Sequence, residues 1–160
     1  MEAEVATILA MPRDVAAVRR EAASMRKLIG EEKPAADMWD IKLAPGGLID
    51  LEFIAQVAAL TGQAPSETPL TATADLLANL APGFADAPTR DRLVEAHALY
   101  SMLTQLIRLC LTGALDRKDV PPGLAEILAR GADMPDLAVL EAHLVETERD
   151  VRRLFTGLMR

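Results

Sequence analysis

Apolar residues recur at helical spacing along most of this 160-residue chain. Over residues 12–30, Val15, Val18, Ala22, Met25 and Ile29 fall three or four apart, which predicts an amphipathic helix with Pro12 in its first turn and Gly30 at its stop. Over residues 89–112, Leu93, Ala96, Tyr100, Leu103, Ile107 and Cys110 form a seam of heptad type, expected to wall the core with Cys110 inside it. A last helix is predicted from Met134 onward through Leu137, Leu140, Leu144, Val151, Leu154 and Leu158, with Glu141, Glu146, Glu148, Arg149, Arg152 and Arg153 on its outward face. Shorter helical patterns cover residues 72–80 and 124–130. Residues 63–69, 81–88 and 113–122 read as loops. In the Pro-bounded connection 31–45, Trp39, Ile41 and Leu43 alternate with polar residues, predicting a short extended piece that points Asp40 and Lys42 together. Strand signals are otherwise nearly absent. The expected fold is all-α, one bundle of about six to seven helices with mostly antiparallel neighbours, forming a single domain over 1–160.

The helix expected over residues 48–60 is unlike the others. The turn Pro45-Gly46-Gly47 precedes it, and it is apolar nearly all round: Leu48, Leu51, Ala55 and Ala58 on one side, Ile49, Phe53, Val57 and Leu60 over most of the rest. Such a helix is buried. Asp50 and Glu52 nevertheless occupy its first turns, and a buried carboxylate costs several kcal/mol unless a cation, a metal or backbone donors meet it. Arg26, Arg19 and Lys42 are the candidate cations. Alternatively, Glu52 and Gln56, four apart on one face, form a polar stripe lining an interface, with Asp50 off that stripe.

Composition narrows the function. Hydrophobic residues make up 51% of the chain and aromatic ones only 3%, so one core must be built from Leu, Ala, Val, Ile and Met. A net charge of -7 opposes nucleic-acid binding, which needs unopposed Lys and Arg to displace counterions. The single cysteine, Cys110, cannot form an internal disulfide and fits a reducing cytoplasm. His97 and His143 lack the local ligand spacing of a metal site. There is no signal-peptide order at the amino terminus, and no run approaches the roughly 18 apolar residues that span a membrane.

The segment from Asp40 to Gln56, D-I-K-L-A-P-G-G-L-I-D-L-E-F-I-A-Q, resembles the Gly-Gly-x-x-Asp-x-Glu-Phe signature of the glutamine synthetase adenylyltransferases. Ile8 to Arg13, Met25-Arg26-Lys27 and Trp39-Asp40-Ile41-Lys42 are similar to the family's approach to that signature, and Val151 to Met159 to its closing helix. The resemblance covers most of the chain, closely from Met25 to Gln56 and loosely from Ala72 onward. The family's Gly-Ser pair and Asp-x-Asp metal site are missing, so the chain looks like the helical domain that follows the second nucleotidyltransferase domain of a longer enzyme.

The resemblance implies transfer of AMP from ATP to a tyrosine of glutamine synthetase, with Mg2+ held by an Asp pair outside this chain and with response to the PII signal protein and glutamine. The isolated chain is then expected to be inactive. In that setting Lys42, Gly46 and Gly47 are candidates for the ATP phosphates, because glycine amides at a helix start and a mobile ammonium both suit anions. Asp50 and Glu52 become residues that orient the groups touching the substrate. The plainer alternatives stay beside these: the glycines as a helix-start turn, Asp50 and Glu52 as a structural pair, Lys42 as their counter-ion, and His97 as a surface or satisfied core residue. Two other identities stay open, the helical domain of a PII uridylyltransferase and a noncatalytic module docking glutamine synthetase. The Glu52-Phe53 continuation and the chain's end at Arg160 without appended regulatory domains favour the adenylyltransferase.

Overall fold

A computed structural model describes residues 13–65 and 72–160. Among these run six helices and no strand: α1 (Val15–Glu32), α2 (Leu48–Leu60), α3 (Thr73–Ala78), α4 (Ala87–Cys110), α5 (Pro122–Gly131) and α6 (Leu137–Leu158). The all-α expectation holds. Pro12, the stretch 8–12 of the resemblance and residues 66–69 of the expected loop lie outside the described residues.

α2 is the axis of the bundle, packed against α1, α3, α4 and α6. Its all-round apolarity has that cause. Leu51 and Ile54 of α2 are fully buried with Leu77 of α3, Leu93, Tyr100 and Leu103 of α4, and Leu140 and Leu144 of α6. Each such leucine contributes roughly 1.5 to 3 kcal/mol relative to an exposed one. α5 closes the core through Leu124 and Leu128, packing on α4 and α6.

Side-chain caps set three of the helix starts. Asp14, Asp86 and Asp136 accept from the amides of Ala16, Thr89 and Val139, each at 2.9 Å, and such a cap is worth about 1 kcal/mol. Hence α4 starts at Ala87 rather than Thr89, with Pro88 in the first turn where its missing N–H leaves nothing unpaired, and α6 starts at Leu137 rather than Met134. Gly30 does not stop α1, which runs on to Glu32 until the Lys33 amide closes it on the Ile29 carbonyl at 2.9 Å.

Four expectations are corrected. The 31–45 connection is not extended: the amides of Leu43 and Ala44 donate to the Asp40 carbonyl at 2.9 and 2.8 Å, and that of Asp40 to Asp37 at 3.1 Å, coiling the backbone into turns. The alternation survives only as burial, with Trp39 and Ile41 inside. Cys110 is exposed, because the 24-residue α4 outruns the 13-residue α2 at the core. Met25 of α1 is half exposed, outside the face expected to be inward. On α6, Glu148 is buried and Arg152 turns inward, so the outward acidic and basic face is smaller than the periodicity suggests.

Candidate functional site

The turn before α2 folds back on the helix start and satisfies its amides from within. Gly47 N–H donates to the Ala44 carbonyl at 2.8 Å, Leu48 N–H to Ile41 at 2.9 Å and Ile49 N–H to Lys42 at 3.2 Å. The Gly46 amide donates to Asp50 Oδ2 at 2.8 Å. Asp50 is fully buried and is the hub of the arrangement. Arg26 Nε from α1 donates to its Oδ1, and Arg152 Nη1 from α6 to its Oδ2 at 3.1 Å. Arg26 Nη2 also reaches the carbonyls of Leu43 and Ala44 at 3.0 and 3.2 Å. From α4, the Tyr100 hydroxyl donates to the Gly46 carbonyl at 3.0 Å. Burial first, then the charges of Glu148 and Asp50, push the Tyr100 hydroxyl far above its ordinary pKa and keep it a donor. One carboxylate thus joins α1, α2 and α6, and the turn it anchors is held by α4.

Both glycines are sites of close backbone approach. Gly46 has φ +88°, and a Cβ there would lie 1.8 Å from the Glu148 carbonyl oxygen on α6. At Gly47 a Cβ would lie 2.1 Å from the carbonyl oxygen of Ile41. The expectation that their amides meet a phosphate finds no free donor: the amides of Gly46, Gly47, Leu48 and Ile49 all have partners inside the chain. Of the cations expected for Asp50, only Arg26 reaches it. Arg19 instead donates to the Arg160 carbonyl at 3.1 Å and stacks over Phe84, while Lys42 is exposed. Arg152 went unforeseen because 102 residues separate it from Asp50 and no local spacing links them.

Asp50 and Glu52 are divided by the fold. Glu52 is half-buried and makes no hydrogen bond or ion pair among the described residues, and Gln56 is exposed. Beside them His97 of α4 is half-buried: burial lowers its pKa, and the charge of Glu52 opposes that. The stripe of Glu52, Gln56 and His97 is polar surface that the packing of the bundle does not consume.

Along α6, Trp39 Nε1 donates to Glu141 Oε1 at 2.9 Å, and Arg117 grips the same carboxylate from two nitrogens at 3.0 and 3.2 Å. Burial works against the charge of Glu141, yet the hydrogen bonds from Arg117 and Trp39 hold it below the usual carboxylate range. No group of three or more His, Cys, Asp or Glu side chains among the described residues is placed to hold a metal ion. No helix among these residues is long and apolar enough to cross a membrane.

Comparison with known proteins places relatives over the whole chain. The family model described as GlnD PII-uridylyltransferase matches residues 17–159. A bifunctional glutamine synthetase adenylyltransferase/adenylyl-removing enzyme of Mesorhizobium japonicum is 59% identical over 160 residues, which is 100% of this chain and 16% of that protein. Enzymes of the same name from Brucella suis and Rhizobium meliloti are 46% and 44% identical over 99% of the chain, again 16% of their length. No solved structure matches the chain.

Proposed function

Because the chain belongs to the bifunctional glutamine synthetase adenylyltransferase/adenylyl-removing enzymes, within the family described as GlnD PII-uridylyltransferase, we propose that it is the helical wall beside a catalytic domain that transfers AMP from ATP to a tyrosine of glutamine synthetase. The observation that carries this reading is the division of labour around α2. Asp50, Gly46 and Gly47 are consumed by the fold, whereas Lys42, Glu52 and Gln56 stand outside it with no partner that packing requires. Residues of that kind are available to a neighbouring domain and its substrate.

In this reading the catalytic acids and their Mg2+ ions lie in the parent enzyme outside this chain, and the metal supplies charge neutralisation at the phosphates there. What the chain offers is its own: a flexible, solvent-facing ammonium at Lys42 suited to an anionic leaving group, and a half-buried carboxylate at Glu52 able to orient a neighbouring donor. The clasp at Asp50 keeps the segment bearing them rigid. Such an enzyme would work in the cytoplasm and answer to PII through its other domains.

A second reading is favoured by the family model's own description over residues 17–159, in which the same helical wall serves uridylyl transfer to PII. One assay separates the two. Full-length parent enzyme is supplied with glutamine synthetase or with PII, and transfer of labelled AMP or UMP is followed. The expected result is AMP transfer to glutamine synthetase, reduced about tenfold or more, some 1.4 kcal/mol of transition-state stabilisation, by Lys42→Ala or Glu52→Gln at unchanged melting temperature. Full activity in both folded variants would reduce this wall to a scaffold or docking module.

A further inference from the structure

Glu148 occupies the buried seam of α6 between Leu144 and Val151, where the helical period calls for an apolar side chain. It is 7% exposed, and its Oε1 is shut away from solvent with no hydrogen-bond partner. An ionised carboxylate left in that state is costly. The groups around it do not help. Asp37, from the connection before α2, adds a second negative charge. Tyr100, from α4, donates its hydroxyl hydrogen bond to the Gly46 carbonyl instead. Arg26 and Arg152 are both committed to Asp50, and Arg117, which feels the charge of Asp37, is committed to Glu141. Burial, followed by Asp37, therefore pushes the acid up to about 8. Among the described residues no Lys, Arg or His pairs with Glu148, and two carboxylates are too few to hold a metal ion.

We propose that Glu148 and Asp37 form a receptor for one basic side chain, an arginine or lysine, supplied by the polypeptide of the parent enzyme outside this chain. The proposal rests on the reading that the chain packs beside the rest of that enzyme. Polypeptide to supply the cation is plentiful, since the chain spans 16% of the length of its curated relatives, and a net charge of -7 makes a basic counter-surface the complementary one. An arginine fits best. Its planar fork suits a pair of carboxylates better than a point charge does, and a guanidinium is more readily desolvated than an ammonium.

The test is hydrogen exchange of the α6 amides at pH 8 in the full-length parent and in this chain alone, for the wild type, Glu148→Gln, Asp37→Asn and, as control, exposed Glu146→Gln. Glutamine has nearly the shape of protonated glutamate, so the fold survives the change. In the chain alone Glu148→Gln should slow exchange, because it removes an unpaired buried charge. In the parent the sign should reverse: Glu148→Gln speeds exchange about tenfold or more, Asp37→Asn acts in the same direction, and Glu146→Gln does nothing. Slower or unchanged exchange in the Glu148→Gln parent would overturn the receptor and leave a proton as the partner of Glu148. Failure of the wall reading would appear elsewhere, as undiminished AMP transfer by the Lys42 and Glu52 variants.

Discussion

Arg152 donates to the Asp50 carboxylate oxygen that also accepts the Gly46 amide, across 102 residues of sequence. The last helix and the turn before α2 are therefore fastened at a single atom. Arg26 occupies the other oxygen from α1. Asp50 is the only acid of its turn with such a set, and its substitution should affect the entire bundle.

Asp50→Ala is expected to lower stability by about 3 to 5 kcal/mol, since it leaves Arg26 buried and unpaired. Arg152→Ala should cost much less, because that arginine is part-exposed and the carboxylate keeps Arg26 and the Gly46 amide. Denaturant unfolding of the three chains checks the order.

Gly46→Ala should be among the most damaging changes in the chain, beyond about 4 kcal/mol, because it combines positive φ with a backbone atom of α6 in the way. Gly62 isolates the first effect. Its φ is +70° with nothing within 4 Å of an added Cβ, so Gly62→Ala should cost only about 1 to 2 kcal/mol. Gly47→Ala should resemble Gly46→Ala, and any activity lost in the parent should follow the folded fraction. A well-folded, inactive Gly47→Ala enzyme would return the turn to the phosphate.

Glu52→Ala should change stability by no more than about 0.5 kcal/mol, the range of ordinary surface substitutions. Thermal melts of the chain decide this. A loss several times larger would mean that Glu52 holds the fold as Asp50 does.

Acid should report on Glu141 through Trp39, the only tryptophan. The folded value of Glu141 lies below the ordinary 4.5, so its stabilising contribution is present above that value and fades as pH falls through the lower folded one. Tryptophan emission should therefore shift at a midpoint below about 4.5, and Glu141→Gln should flatten the transition. An emission midpoint at or above the ordinary value would disconnect Trp39 from this carboxylate.

The helices and the central place of α2 were legible because 3.6-residue periodicity and all-round apolarity are local properties of a short window. So was the need of Asp50 for a cation, since burial and charge are both readable at one position. The identity of the second cation was not, because Arg152 comes from the far end of the chain. Glu148 shows the same limit from the other side. It stands on the seam of Leu144 and Val151 by spacing, yet its charge type assigns it outward, and only the packed turn at Gly46 shows which of the two governs. The 31–45 connection was misread because alternating burial is shared by strands and by tight turns that present every second side chain to a core.

The reach of the Asp50 clasp also bears on how such a chain is made. A ribosome adds roughly 5 to 20 residues per second, so on the order of 5 to 20 s separate the synthesis of Asp50 from that of Arg152. During that interval α2 has its carboxylate and only one of its two arginines, with the apolar faces later covered by α4 and α6 still open. Nascent chains halted within α4 should therefore be sensitive to proteases and held by chaperones. Protection should come late, when α6 has cleared the exit tunnel.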